Sequence, residues 1–400
     1  MDRPGFWIFW GIIALVLAFI IGMIIDDFGI ALGVSIAIII IIWIIWYFVD
    51  KWQKENTEAA KKGQHKSTPT SNTKNSVSNH STQNNKKPDT TTPQMQKATQ
   101  QLQLKIGEAA FSGREDFFTI TIPEIVTFIG FRAFYGCKNL SYLEIPKSVI
   151  TVGDYAFGNC TKLERVVLSE GLQNIEDYAF WKCESLKKIS IPSSIKKIGK
   201  HAFDGSGLSK IILANGITTI NQSAFEGCKH LTELNLPDSL TKIESLAFSD
   251  CPNLKEVIFP DNLDLIGEDA FAMCESLEKL YMPDGLKTVS KGAFQGCFKL
   301  NEIKFSKSLQ KIDEDVFTAC IGLSELTIPD TISCIGKGAF RVCNGLDKIF
   351  IPKSVLNIDR EAFAECEFMT IYTEFAEKPS GWDNDWNIDN CPVIWGYNKK

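Results

Sequence analysis

The chain has 400 residues, 44% of them apolar, and a formal net charge of −6 at neutral pH. That length allows more than one domain, and the acidic balance argues against nucleic acid as a partner. The twelve cysteines and four histidines include no Cys-x-x-Cys pair and no histidine pair at ligand spacing. No Walker loop, Gly-x-Ser-x-Gly or His-Glu-x-x-His run occurs, so no metal, cofactor or enzymatic activity is expected.

From the N-terminus, residues 6–25 and 28–49 form two apolar runs interrupted only by Asp26 and Asp27. About 20 residues suffice to cross a bilayer core of about 30 Å. A cleaved signal peptide would have a shorter apolar core and a small-residue cleavage site. Trp7, Trp10, Trp43, Trp46, Tyr47 and Trp52 stand toward the outer ends, as interfacial aromatics do. Residues 1–50 are therefore expected to be a transmembrane helical hairpin, making the chain an integral membrane protein anchored through residues 6–49. Arg3 precedes the first run and Lys51, Lys54, Lys61 and Lys62 follow the second, which by the charge rule puts both ends in the cytoplasm. Residues 51–103 are rich in Lys, Ser, Thr, Asn, Gln and Pro. A segment so poor in large apolar residues cannot offset its ordering entropy, so a disordered polar linker is expected, with a mean reach of roughly 40 Å.

Over residues 104–373 one phenylalanine returns every 23 residues: Phe111, Phe134, Phe157, Phe180, Phe203, then Phe225, Phe248, Phe271, Phe294, Phe317, Phe340 and Phe363. Only the step from Phe203 to Phe225 is one residue short. A fixed period of this length means a solenoid whose coils bury their apolar faces against one another. A typical unit carries Leu140, Leu143, Ile145, Pro146, Val149, Val152, Gly153, Ala156, Phe157 and Cys160. Its first half alternates with period two and predicts a short strand. Successive strands run the same way and stack parallel about 4.8 Å apart, giving a rod on the order of 50 Å. The glycines at 130, 153, 199, 267 and 336 are expected to give a tight corner its backbone freedom. Pro146, Pro192, Pro237, Pro260, Pro283, Pro329 and Pro352 mark the strand ends, where a missing N–H costs least.

These motifs closely resemble the BspA-type leucine-rich repeat. The resemblance implies a mainly β, leucine-rich-repeat rod with a parallel sheet. It also implies display outside a bacterial cell, against the charge rule, so which side of the membrane the repeats face stays open here. It extends into residues 374–400, where Trp382, Trp386 and Trp395 are expected to form an aromatic lid on the open end. The first copy, around Phe111 to Phe118, is expected to close the other end.

Ten cysteines, Cys137, Cys160, Cys183, Cys228, Cys251, Cys274, Cys297, Cys320, Cys343 and Cys366, follow the repeat Phe by three residues, and Ser206 fills the vacant slot. Stacked on parallel turns they point the same way, so buried small hydrophobes are expected in place of disulfides or zinc ligands. Cys334 falls outside the column and is expected to be the reactive thiol.

If Leu143 and Ile145 point inward, their neighbours face solvent. One outward column runs Tyr142, Arg165, Lys188, Lys210, Glu233, Glu256, Lys279, Glu302, Glu325, Lys348, and a second includes Val167, Ile212, Ile258, Tyr281 and Phe350. Half of the second column is apolar or aromatic, more than a face meant only for water needs. The candidate partner-binding face is accordingly Tyr142, Arg165, Val167, Lys188, Lys210, Ile212, Ile258, Lys279, Tyr281 and Phe350. The expected function is recognition of a protein or surface glycan, of adhesion or receptor type. The alternative is a scaffold on the cytoplasmic membrane face, assembled through the hairpin, for which the Gly29 to Gly33 spacing offers a helix-packing surface.

Overall fold

A computed structural model describes residues 104–398. The expected hairpin and polar linker lie outside the described residues. Among the described residues no helix is long and apolar enough to cross a membrane.

The described chain is a parallel-sheet β-solenoid, and most coils make two short strands where the sequence pattern had suggested one. The first ladder contains the alternating strands, such as Tyr142–Ile145, Arg165–Leu168, Lys210–Ile212 and Lys348–Ile351. All pairs are parallel, one repeat apart: Tyr142 stands opposite Arg165, Ile212 opposite Asn235 and Thr327 opposite Phe350. The inward residues Leu143 and Ile145 are fully buried, whereas Glu144 is exposed. The second ladder consists largely of two-residue strands such as Thr151–Val152, Asn174–Ile175, Lys197–Ile198 and Lys242–Ile243. One inward Val or Ile per strand is too short a run to show as alternation. Between the ladders the repeat proline opens a tight turn: Val149 N–H donates to Pro146 O at 3.1 Å and Leu240 N–H to Pro237 O at 3.0 Å.

The Ala-Phe segment forms a third side. Arg132, Phe134 and Gly136 donate to the Asp154, Ala156 and Gly158 carbonyls of the next coil at 2.9, 2.8 and 2.8 Å. The intervening Ala133, Tyr135 and Cys137 N–H groups close turns on Gly130, Arg132 and Phe134 at 3.2, 3.0 and 3.2 Å. This alternation puts Arg132 and Gly136 in the left-handed region, at φ 52° and 70°, and it recurs along the array at Tyr155 and Asn159 or Tyr178 and Lys182. The column containing Gly130 and Gly153 does not use that freedom, because neither has positive φ. Those glycines answer to close approach: an added Cβ would stand 2.7 Å from Ile106 O at Gly130 and 2.7 Å from Ile129 O at Gly153. The same slot holds Glu176, Asn221 and Asp313 in other coils, so glycine there is a local fit.

The core is a column of stacked phenylalanines with little but aliphatic residues and thiols around it. From Phe111 to Phe363 each ring lies over the next with centroids 5.1 Å apart at closest (Phe134–Phe157) and 6.1 Å at widest (Phe294–Phe317). Beyond Phe363 the tail adds a modified coil in which Trp386, again 23 residues on, meets Phe363 edge-on at 5.9 Å. Trp382 and Trp386 are only 2% and 5% exposed, and the Trp382 indole N–H donates to Val355 O at 3.0 Å. The tail tryptophans thus close the end of the core. At the other end Phe117 packs edge-on against Phe111 at 5.6 Å.

The cysteine column is buried, and it does more than fill space. Each thiol reaches the Phe carbonyl of the preceding coil, as in Cys160 to Phe134 O at 3.3 Å and Cys343 to Phe317 O at 3.2 Å. Cys391 in the tail continues the column, bonding Cys366 O at 3.2 Å. Burial pushes the thiols of Cys183, Cys228, Cys274 and Cys366 up to about 12. Cys334 sits in the second ladder, half-buried, while the other eleven cysteines are buried. Its burial, and then the Asp359 carboxylate, hold its thiol above the ordinary value. Cys334 is thus the most accessible thiol of the described residues, as its place outside the column suggests, while its raised value works against forming the nucleophilic thiolate.

Candidate functional site

The first ladder carries the ten candidate residues on its solvent side, but it does not gather them into one site. Arg165 and Lys188 are the only paired residues between their two strands, Arg165–Leu168 and Lys188–Ser190, whereas the preceding pair runs four residues in register. The strands part beyond that point and leave a depression of about 610 Å³. Its floor is Val166, Val167, Leu168 and Ile189, and its rim includes Arg165, Lys187, Lys188, Lys210 and Ile212. Leu168 is partly exposed there, although its counterpart Ile145 is fully buried. A second hollow places Ile212 and Ile258 on either side of Asn235, and Ile258 is 74% exposed. At this point the ladder narrows to a single bridge between Asn235 and Ile258.

The basic stretch and the acidic stretch partly cancel. Lys210 pairs with Glu233 at 2.6 Å, Lys279 with Glu302 at 3.4 Å and Lys348 with Glu325 at 3.9 Å. The Arg165 guanidinium lies 5.8 Å over the Tyr142 ring. Burial first, and then the 3.1 Å hydrogen bond to Glu144, push the Tyr142 phenol above its ordinary value. Arg165, Lys187 and Lys188 have no ion pair among the described residues, whereas Lys210 is paired with Glu233 and Glu164 also lines the depression, so the balance of charge there is positive. Phe350 stands apart near the C-terminal end, with Tyr372 at 4.9 Å and Tyr397 at 5.3 Å. Tyr372 was legible as the next member of the Phe350 column; Tyr397 arrives through the folded tail and had no spacing to announce it.

The Ala-Phe side carries a second cluster that sequence reasoning missed. The left-handed positions Tyr155, Tyr178 and His201 stack face to face at 4.5 Å per step, and the Arg132 guanidinium lies 5.2 Å over Tyr155. His201 Nδ1 is 2.8 Å from the Asp204 carboxylate and 4.0 Å from that of Glu226. All three side chains are half-buried, and their ligand atoms lie within 4.8 Å of one another. The signal available in the sequence was the slot after the repeat Phe, which is acidic only at Asp204 and Glu226.

The family model described as BspA type Leucine rich repeat region (6 copies) matches residues 97–209, 196–324 and 265–377. The chain belongs to the BspA-type leucine-rich-repeat family. Among solved structures this BspA-type array is similar to a leucine rich cell surface protein from Faecalibacterium prausnitzii, at 27% identity over 74% of this chain and 86% of that one, with a TM-score of 0.47. It is similar to a leucine-rich repeat protein from Eubacterium ventriosum at 18% identity, over 71% and 84% of the two chains, with a TM-score of 0.49. For the pneumococcal vaccine antigen PcpA the values are 20% identity, 73% and 76%, and a TM-score of 0.47. No curated protein matches the BspA-type chain in sequence.

Proposed function

We propose that this BspA-type protein is a membrane-anchored binding protein of a bacterial cell surface, which captures a protein ligand through the solvent face of its first ladder and carries out no reaction on it. Residues 6–49 are the anchor and residues 51–103 the tether. The observation that carries the reading is the depression where the strands of Arg165 and Lys188 part, with an apolar floor and a mainly basic rim. A rigid parallel ladder holds such groups at fixed spacing, so little ordering cost falls on the array when it binds. The bare aliphatic surfaces of Ile212 and Ile258 offer nothing to sugar hydroxyls and favour a protein over a surface glycan. The fitting segment combines acidic with aliphatic side chains.

Selection of displayed random peptides on the purified full chain tests this. Binders should be enriched in Asp or Glu beside Leu, Ile or Val, and should lose about tenfold or more in affinity against Lys188→Glu or Ile258→Asp. Equal affinity for the parent and both variants would remove the sheet face as the site. A selected peptide that marks intact cells places the array outside. Marking only after lysis would place it in the cytoplasm and favour the scaffold alternative.

A further inference from the structure

Asp204 and Glu226 occupy the same slot in successive coils, directly after the repeat Phe. Elsewhere that slot holds Ser112, Tyr135, Gly158, Trp181, Ser249, Ala272, Gln295, Thr318, Arg341 or Ala364. This slot thus has one place where carboxylates stand in successive coils, and that place has the array's one histidine at a left-handed position, aimed at both of them through the same nitrogen. Two like charges held this close repel, and a cation between them removes the repulsion. Ser223, fully buried, takes the next position of His201's own column, and its hydroxyl, like those of Ser148 and Ser354 elsewhere in the array, has no hydrogen-bond partner among the described residues.

We propose that His201, Asp204 and Glu226, whose ligand atoms lie within 4.8 Å of one another, form a binding site for one divalent transition-metal ion, zinc in the first instance, with water completing the coordination. The donor set of one imidazole and two carboxylates suits zinc with an open position. Bonds of about 2.0–2.2 Å to each donor leave the donors roughly 3–4 Å apart, comparable with the separations observed. The stack on Tyr178 at 4.5 Å fixes the imidazole plane, so the site is largely formed before the ion arrives. The ion would tie together the coils on either side of the 22-residue step from Phe203 to Phe225, where Gly207 passes so close to Glu184 O that a Cβ there would meet it at 2.0 Å.

Equilibrium dialysis of the purified, reduced full chain against zinc chloride, with His201→Phe alongside, tests the proposal. The phenyl ring keeps the stack on Tyr178 and removes the donor, while His65, His80 and all twelve thiols are common to both proteins. The parent should retain one more zinc equivalent than the variant, and Glu226→Gln should weaken that equivalent by more than about 100-fold, since even indirect partners of a ligand are worth 10–100-fold. Cobalt(II) in place of zinc should give a visible absorption band in the parent that His201→Phe lacks. Equal zinc retention by parent and His201→Phe would overturn the site and leave His201–Asp204 as a plain hydrogen-bonded pair.

Discussion

Two residues in each coil sit in the left-handed region, and many of them are not glycine: Leu246 at φ 59°, Met273 at 58°, Val342 at 62° and Glu365 at 59° are examples. For an L-residue that conformation costs roughly 1–2 kcal/mol, and a β-branched side chain is the worst case. The array tolerates the strain because those positions turn alternate N–H groups toward the next coil, where each finds a carbonyl, as Val342 finds Ala364 O at 2.8 Å. Val342's slot already holds glycine at Gly136, Gly205, Gly227 and Gly296. Relief of strain should exceed the roughly 0.5–1 kcal/mol entropic cost of glycine, so Val342→Gly should stabilise the protein by about 0.5–1 kcal/mol in a urea melt. A destabilised variant would mean that the Val342 side chain contributes packing that the backbone argument leaves out.

At the scale of the element, the Phe column and its thiols form the axis on which coils are added. Phe248 stacks on Phe225 at 5.4 Å and on Phe271 at 5.3 Å, so its removal breaks two ring contacts and opens a cavity that rigid neighbours cannot fill. Phe248→Ala should cost about 3–5 kcal/mol, read as a lowered midpoint in a denaturant melt. Because coils contact only their neighbours, hydrogen exchange should quicken first in the coils of Phe225 and Phe271. This element was legible because its signal is chemical identity at fixed spacing: Phe at 23, Cys three later, and Leu143 and Ile145 alternating with exposed partners. The second ladder was not legible, since two residues cannot display a period. Nor was the alternating left-handed backbone, since Tyr155, Tyr178 and Leu246 carry none of the usual marks of positive φ. The candidate face was legible as columns, because strands in register preserve sequence order. Its division into a basic depression, an aliphatic hollow and a tyrosine cluster depends on where strands part and where the tail folds back, which no spacing encodes. The pairing of His201 with Asp204 and Glu226 was within reach, but only by comparing one slot across every coil.

The whole array has a single ionisable core. Every one of its twelve thiols is held above the ordinary value of 9.0 chiefly by burial, so the folded array keeps its thiol protons at pH values where the unfolded chain releases them. The folded pKa is the higher one, so the stability is whole below about pH 9 and is lost as the pH rises toward the folded values, about 12 for Cys183, Cys228, Cys274 and Cys366. Each thiol that stays protonated in the fold contributes a slope of at most about 1.4 kcal/mol per pH unit. Melts under reducing conditions should therefore be flat from pH 7 to pH 9 and fall steeply above it. Replacing Cys251, Cys274 and Cys297 by Ala should lower the alkaline slope by at most about 4 kcal/mol per pH unit while costing some stability at neutral pH, where the bonds to Phe225, Phe248 and Phe271 are lost. An unchanged slope in that triple variant would assign the alkaline loss to surface groups such as the lysine pairs, and would mean that the thiols ionise without leaving the core.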